Sequence, residues 1–371
     1  MTNMKITFRK TIYASTVLLA IILFSLGAGS CYMLSYSLGE DPNRKDVDSA
    51  YNVLYKRVPD MRCWVDSLKQ NGLLRDTFIT MPSGERHHAI YLRADSAQGR
   101  TAIVVHGYRD TAPKYLYLGR MYHRDLGFNI LMPDLHAHGL SDGEGIGMGW
   151  NERHDVIRWA EVAEELFRSP SHESKIVIHG VSMGAATTMN LSGEPHPSYI
   201  KCFVADCGFT SVWDEFRGQL REQFSLPPFP LMHIASCLCR MKYGWTFREA
   251  SPLKQVAKCQ KPILFIHGEK DTYVPTEMVY RLYDAKPAPK QLWTLPNTGH
   301  ADSYINFPEE YTKKIKEFIS KLLLSGKTQN RIKSLSELLY NQGLKLFHDK
   351  SKPPPNEKAQ ALVVLFEHLL Q

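Results

Sequence analysis

The hydrophobic positions in the middle of the chain form short runs that alternate with longer amphipathic stretches. Two early runs, LLRDTFIT and HHAIYLRA, predict strands joined by a turn at Pro82 to Gly84. Six later runs are continuously apolar, as in strands buried on both faces: TAIVVHG, FNILMPD, KIVIHGVS, YIKCFVAD, PILFIHG and KQLWTL. Helical patterns such as NERHDVIRWAEVAEELF lie between them. The alternation predicts an eight-stranded, mostly parallel α/β sheet with helices on both faces and an antiparallel leading pair.

One gap between predicted strands is too long for a simple crossover. Residues Cys207 to Lys261 contain DEFRGQLREQF, a proline-rich LPPFP and the aromatic stretch MKYGWTF. An insertion of this size, at the edge where ligands enter such sheets, predicts a helical lid over about 207–250. The alternative is a helical pair that only covers the sheet surface.

The amino-terminal segment is apolar enough to cross a bilayer. No charged residue occurs over 11–39, and a span needs about 20 residues. The basic residues of segment 1–10 should stay cytoplasmic, which predicts a transmembrane signal-anchor with the rest of the chain exported. The alternative is a cleaved signal peptide, because LGAGSC places small residues before Cys31 and would give a secreted or lipoprotein form.

The remaining segments complete the predicted organisation. Residues 40–70 are polar and predict a linker with a lead-in helix around Met61 to Lys69, and 71–325 forms the α/β domain. Residues 326–371 predict a C-terminal helical extension with two amphipathic segments separated by KPPP.

The charge and cysteine patterns argue against a nucleic-acid-binding protein and against a small domain held together by disulfides or zinc. The net charge is +7, but lysines and arginines are spread along the chain, whereas a nucleic-acid surface needs clustered cations. Seven cysteines in 371 residues do not form a disulfide framework, and no zinc-type Cys spacing occurs. We therefore predict no nucleic-acid partner.

A serine between two glycines follows one of the buried strands. The stretch Gly180-Val-Ser182-Met-Gly184 runs from strand into helix, which is the nucleophile-elbow arrangement. The sharp turn strains the backbone at Ser182, so the residues two before and two after it must be very small. The turn also places the hydroxyl at a helix N-terminus, where developing negative charge is favoured.

A serine nucleophile needs a histidine base close in space. The best of the fifteen histidines is His300 in PNTGHADSY, in a loop after the last strand. His106, His179 and His267 end or lie within buried strands and are expected in the core. His136 has a spacing to the nearby His138 that suits a metal, but no third ligand is evident, so no metal is predicted.

The histidine needs a carboxylate to orient its ring. Asp271 follows the seventh strand and places the acid at the correct edge of the sheet. Asp206, at the end of the sixth strand, is the rival, and Asp302 is expected to cap a helix. Two backbone N–H groups should hold a tetrahedral oxyanion, those of Tyr108 and Met183.

Several motifs together carry a family resemblance: HGY, PDLHAHGLSDG, GVSMGA, IHGEKDTYVP and the final GH. Over roughly Leu73 to Leu324 the chain resembles the α/β-hydrolase superfamily. The stretches IGMGWNERHD and FREASPLKQV resemble membrane-anchored bacterial hydrolases of the serine aminopeptidase-like or generic α/β type. The resemblance implies the α/β-hydrolase fold and the chain order serine, acid, histidine. His136 stands where the family's D-x-R-G-x-G-x-S motif has arginine.

The predicted function is a serine hydrolase that cleaves carboxylic esters through an acyl-enzyme, with a Ser182, His300 and Asp271 triad. No metal or organic cofactor is expected. The substrate is a small-molecule or lipid-like acyl compound, and five apolar residues of the lid favour apolar acyl groups: Phe224, Phe229, Met232, Tyr243 and Trp245. The alternatives are an amidase or peptidase of the serine aminopeptidase-like type, and a catalytically silent, membrane-tethered binding protein.

Overall fold

A single eight-stranded sheet forms the centre of the protein. The computed structural model describes residues 2–323. The strands are β1 (Arg75–Thr80), β2 (Arg86–Leu92), β3 (Arg100–Val105), β4 (Asn129–Pro133), β5 (Lys175–Val181), β6 (Ile200–Asp206), β7 (Ile263–Gly268) and β8 (Lys290–Leu295). Their order across the sheet is β1-β2-β4-β3-β5-β6-β7-β8. Strand β2 pairs antiparallel with both neighbours, and the strands from β3 to β8 pair in parallel.

The burial of the strands follows their sequence pattern except in β8, which was predicted to be buried on both faces but has only Leu295 buried and its other residues half-buried. Every residue of β4 and β7 is buried, and in β3 and β5 only the first residue is partly exposed. Both faces of the central sheet are therefore covered, which explains the continuous apolar runs. Strand β1, at the edge, alternates between exposed and half-buried positions. The predicted eight-stranded, mostly parallel sheet is confirmed.

The helices follow the predicted alternation with the strands. Their bounds are α1 (Thr2–Leu38), α2 (Val47–Arg57), α3 (Met61–Gln70), α4 (Leu116–Arg120), α5 (Glu152–Phe167), α6 (Met183–Ser192), α7 (Val212–Phe224), α8 (Leu231–Tyr243), α9 (Pro252–Val256), α10 (Glu277–Ala285), α11 (Ser303–Asn306) and α12 (Pro308–Leu323). A 3₁₀ turn, Ala112–Tyr115, precedes α4, and a π-helical turn, Met121–Asp125, follows it.

The segment predicted as a linker, 40–70, is more ordered than its polarity suggested. Besides the predicted lead-in helix, which is α3, it contains α2, whose first turn is capped by Asp46 accepting from the Ser49 amide. Ala50, Tyr51 and Leu54 of α2 are buried. The segment therefore packs on the α/β domain and is not a free tether.

The long insertion between β6 and β7 contains two longer helices, α7 and α8, and the short helix α9. Helix α7 begins after Ser211, whose side chain accepts from the Asp214 amide, and ends at Ser225 in the left-handed conformation. Helix α8 ends at Gly244, which is also left-handed. These two helices occupy the segment predicted as the lid, 207–250.

Helix α1 contains two parts with different surroundings. Its apolar stretch Ile12–Leu38 is long enough to cross a membrane, and most of its early side chains are exposed. Its last turns instead pack on α8, where the Ser30 hydroxyl donates to the Leu231 carbonyl (3.3 Å). The Leu38 carbonyl accepts from the Ile146 amide (2.7 Å), which ties the helix end to the domain. The predicted extension 326–371 lies outside the described residues.

Candidate active site

The serine predicted as a nucleophile lies in a strained turn between β5 and α6. Ser182 has φ 57° and ψ −119°, an unfavourable conformation for a residue with a side chain. A Cβ on Gly180 would lie 2.0 Å from the Gly184 carbonyl oxygen, and one on Gly184 would lie 2.1 Å from the Val105 carbonyl oxygen. The turn therefore requires glycine at both positions, as the sequence pattern predicted.

Three residues distant in sequence form one hydrogen-bonded row at the carboxyl edge of the sheet. Nε2 of His300 lies 2.8 Å from Oγ of Ser182, and Nδ1 of the same ring lies 2.7 Å from Oδ2 of Asp271. Ser182 and Asp271 are 8% and 5% exposed, so little water competes for these bonds. The structure thus brings together the serine, the histidine and the acid that the sequence singled out.

The surroundings of Asp271 keep it ionised. Burial alone would raise its pKa, but hydrogen bonds from His267 and His300, with the Val274 amide, lower the pKa to about 2. An ionised carboxylate can only accept hydrogen bonds. Nδ1 of His300 must therefore carry the ring hydrogen and donate a hydrogen bond to Asp271. Nε2 is then free to accept from the Ser182 hydroxyl.

The two rival carboxylates are occupied elsewhere. Asp206 is buried and accepts from the hydroxyls of Ser303 (2.9 Å) and Tyr311 (3.0 Å). Burial raises the pKa of Asp206. Asp302 precedes α11, as predicted, but its side chain forms an ion pair with Arg57 (2.8 Å) and makes no side-chain cap.

Both residues expected to donate to an oxyanion belong to segments that adjoin the serine. Met183 is the first residue of α6. Tyr108 follows Gly107, where an added Cβ would come within 3.5 Å of the Ser182 Cβ. The Tyr108 hydroxyl donates to the Ser37 carbonyl of α1 (2.9 Å), which fixes the loop after β3.

The histidines expected in the core are buried, but one of them also supports the row. His106, His179 and His267 are all 0% exposed. Nε2 of His267 donates to the Val274 carbonyl (2.9 Å) and lies 3.3 Å from Oδ2 of Asp271. Sequence reasoning missed this contact, although the two residues are four apart in the motif IHGEKD.

A cavity of about 120 Å³ opens next to the row. Tyr108 and Tyr273 line it, and the Tyr273 ring lies 4.9 Å from the His300 ring. Further walls come from α7 and α8 and from the last turns of α1: Met33, Leu34, Tyr36, Ser37, Phe216, Leu220, Phe224, Leu231, Met232 and Ala235. The wall from α1 was not expected from the sequence, which assigned that helix to the membrane alone.

Two of the five lid residues proposed to contact an acyl group line this cavity, Phe224 and Met232. Trp245 is buried in the core, Tyr243 is partly buried against it, and Phe229, just before α8, is 70% exposed. Most of the apolar residues that line the cavity are therefore different from those chosen from the sequence.

Glu215 is a buried carboxyl in the otherwise largely apolar cavity wall. It is 3% exposed, its Oε1 accepts from the Gln219 side chain (3.1 Å), and its Oε2 has no hydrogen-bond partner in the part of the chain that the structure describes. Burial raises its pKa to about 8, and the negative charge of Asp271 adds to the shift. No sequence motif marked this residue.

The fold and this site define the class of protein. A strand–serine–helix elbow, a histidine and a carboxylate at one edge of a mostly parallel sheet are the parts of an α/β hydrolase. The chain belongs to the α/β-hydrolase superfamily, and the sequence model of the prolyl oligopeptidase family, Peptidase_S9, matches residues 147–325.

Several known proteins are similar to this chain in sequence or in fold. The chain is 34% identical to the uncharacterized protein YqkD of Bacillus subtilis over 225 residues, which cover 60% of this chain and 72% of YqkD. It is 24% identical to the α/β hydrolase domain-containing protein WAV2 of Arabidopsis thaliana, over 68% of this chain and 80% of WAV2. The esterase Pf2001 of Pyrococcus furiosus has the same fold, with a TM-score of 0.54 and 22% identity over 69% of this chain and 96% of Pf2001.

Proposed function

We propose that this protein is a membrane-anchored serine hydrolase that cleaves carboxylic esters through an acyl-enzyme. The observation that carries the proposal is the row from Ser182 through His300 to Asp271, with both hydrogen bonds shorter than 3 Å. A serine hydroxyl becomes a competent nucleophile when a positioned base removes its proton. The membership of the chain in a hydrolase superfamily supports the same reaction class.

Each side chain has one role in the proposed acylation step. The Ser182 oxygen attacks the ester carbonyl as Nε2 of His300 takes the hydroxyl proton. Asp271 stays ionised and stabilises the resulting imidazolium. The backbone amides of Tyr108 and Met183 donate to the tetrahedral oxyanion. When the intermediate collapses, the alcohol leaves with the proton from His300, and the acyl group remains on Ser182.

The second step restores the enzyme. His300 takes a proton from a water molecule, whose oxygen attacks the acyl carbonyl, and the second tetrahedral intermediate collapses with release of a carboxylic acid. The same imidazole then returns its proton to the Ser182 oxygen. The residues present account for all four proton transfers of the two steps, so the proposal assigns no step to a cofactor.

The exposed part of α1 supports membrane attachment. Side chains such as Leu18, Leu23 and Phe24 are more than half exposed, which is unfavourable in water for so long an apolar helix. Since the last turns of the same helix line the cavity, cleavage before Cys31 would shorten the helix that supports that wall. We therefore favour a retained anchor over a cleaved signal, with the hydrolase domain outside the cytoplasm.

The direct test uses the full-length protein and a fluorophosphonate probe. Wild-type protein should be labelled and should hydrolyse a short-chain aryl ester, and Ser182→Ala should lose both properties while unfolding at the wild-type temperature. An unlabelled, folded wild-type protein beside a labelled control hydrolase would support the silent binding protein instead.

Two aspartate variants test whether Asp271 is the acid of the proposed triad. Asp271→Asn should reduce kcat by about 10⁴-fold, because the imidazole then adopts the wrong tautomer, as happens in a serine-protease triad. Asp206→Asn is the matched variant, a buried aspartate at the neighbouring strand end, and should keep the rate within about tenfold. Loss of rate only in Asp206→Asn would transfer the role to that residue.

A peptidase acting on a free amino group is the second candidate, and Glu215 is the observation that favours it. A carboxyl in the cavity wall with one unpartnered oxygen can bind an ammonium group, whose charge would in turn favour ionisation of the carboxyl. Under this alternative, Glu215→Gln should abolish aminoacyl-arylamide cleavage and leave ester cleavage intact. Equal effects on both substrates would exclude a role in amine recognition.

A further inference from the structure

A second polar cluster lies away from the candidate triad, where the β1–β2 turn meets the loop after β4. It contains Glu85 and His87, at the start of β2, and His136 from the loop. One ligand-type atom from each residue lies within 4.8 Å of the other two. The sequence had offered His136 as a ligand only with His138 and had found no third donor.

His87 is the unusual member of this cluster. Its side chain is 0% exposed, and neither ring nitrogen has a hydrogen-bond partner among residues 2–323. A buried imidazole normally satisfies at least one nitrogen, because leaving a polar group unpaired costs about 1–3 kcal/mol. Nε2 nevertheless lies 3.5 Å from Oε2 of Glu85, close to an acceptor but outside hydrogen-bonding geometry.

The distances match the edges of a metal coordination sphere. Ligands 2.0–2.2 Å from a tetrahedral zinc ion lie about 3.4 Å from one another. Oε2 of Glu85 lies 3.5 Å from Nε2 of His87 and 3.1 Å from Nδ1 of His136, with which it forms a hydrogen bond that a bound ion would replace. The His136 ring packs directly on Gly143, where an added Cβ would come within 2.6 Å of three ring atoms.

The carboxylate of Asp155 lies on the side of the buried His87 ring that faces away from Glu85. Oδ2 of Asp155, on α5, lies 3.8 Å from Nδ1 of His87, the nitrogen that faces away from Glu85. Histidines that bind a metal through one nitrogen commonly donate the other N–H to a carboxylate, which fixes the ring and its tautomer. Two histidine nitrogens and one carboxylate are donors suited to zinc or a similar divalent transition ion.

We propose that Glu85, His87 and His136 bind one divalent transition-metal ion, with Zn²⁺ as the fitting ion and Asp155 orienting His87. The ion would join the β1–β2 hairpin to the loop after β4. That loop reaches the candidate active site, because Nε2 of its His138 accepts from the Arg109 amide (3.1 Å), next to Tyr108. The ion would therefore have a structural role: it would stabilise the loop after β4, which supports the segment containing Tyr108, one of the two proposed oxyanion donors.

The test measures Zn²⁺ binding by the full-length protein, purified in detergent with a histidine-free tag and stripped with a chelator. Calorimetric titration should show one Zn²⁺ per chain and a rise in unfolding temperature. His136→Gln should abolish saturable binding, and Asp155→Asn should weaken it 10–100-fold. His172→Gln, which changes an exposed histidine outside the cluster, should bind as wild type does.

The outcomes separate this proposal from the proposed hydrolase function. Because His87→Gln alters a buried position, His136→Gln is the decisive variant, and a cooperative thermal unfolding transition reports whether each protein is folded. Absence of Zn²⁺ binding in folded wild-type protein, or wild-type affinity in His136→Gln, would overturn the metal site. Neither result depends on which substrate is cleaved.

Discussion

Glu215 illustrates how the site holds two carboxyls in opposite states. Asp271 receives hydrogen bonds that favour its charged form, and its pKa falls to about 2. Glu215 receives only one hydrogen bond inside an apolar wall, and its pKa rises to about 8. At neutral pH Asp271 is therefore ionised and Glu215 is mainly protonated. An uncharged acyl chain that enters the cavity would then meet a neutral Glu215 side chain.

This difference predicts a pH-dependent effect of Glu215→Gln on stability. A carboxyl whose pKa rises on folding is held protonated by the native state, so it destabilises the fold increasingly between about pH 4.5 and pH 8. The variant should gain roughly 3 kcal/mol over wild type at pH 7 and little at pH 4.5. Thermal unfolding at a series of pH values measures this, and a gain that does not vary with pH would contradict the raised pKa.

Individual site residues were predictable from sequence only where local geometry demands them. Ser182 was recognisable because its glycine neighbours are needed by the turn itself. The choice between Asp271 and Asp206 could not be made with the same certainty, since both follow strands that end at the same edge of the sheet. Glu215 and the contact of His87 with Asp155 had no local signal, because packing alone brings those groups together.

At the scale of single elements, the elbow between β5 and α6 has the least spatial freedom. Gly184→Ala places a Cβ 2.1 Å from a backbone oxygen and should destabilise the protein by about 3 kcal/mol. Gly218→Ala is the matched control, because Gly218 lies in α7 with no atom within 4 Å of an added Cβ. It should gain about 0.5–1 kcal/mol. Thermal unfolding of both variants tests this, and equal stabilities would argue against the crowded turn.

The cavity wall contributed by α1 predicts an effect on substrate length. Leu34→Ala removes apolar volume from that wall and should shift the preferred acyl chain to a longer one, with a change in kcat/KM on the order of tenfold. Leu19→Ala changes a 56% exposed residue of the same helix and should leave the preference unaltered. A series of aryl esters of increasing acyl length measures both, and identical profiles would remove α1 from the binding site.

Elements were predicted well where burial dictates the pattern and poorly where it does not. All eight strands were found: β3 to β8 as continuous apolar runs, which burial on both faces requires of the inner ones, and β1 and β2 with the turn at Pro82 to Gly84 between them. Helix α2 was missed, since it buries only three side chains and most of its exposed residues are polar. The double role of α1 was missed too, because an apolar residue that faces a cavity and one that faces lipid look the same in a sequence.

At the scale of the whole molecule, the orientation in the membrane can be tested through the free cysteines. Cys31, Cys63 and Cys237 are exposed and the other four are buried. In a Cys31→Ser, Cys237→Ser protein, Cys63 should react with a membrane-impermeant maleimide in intact cells if the domain is exported. Adding Cys63→Ser should abolish the signal. Labelling only after lysis would place the domain in the cytoplasm.

The connection between α1 and the domain has a further consequence for how the protein meets its substrate. The Arg109 side chain donates to the carbonyls of Tyr36 (2.8 Å) and Gly39 (3.0 Å), and the Ile146 amide donates to Leu38. These bonds fix the end of α1 on the domain. In the proposed membrane-anchored hydrolase, the cavity entrance would therefore keep a constant height and tilt above the lipid headgroups, so the distance that an ester reaches from the bilayer, as well as its chemistry, would decide whether it is hydrolysed.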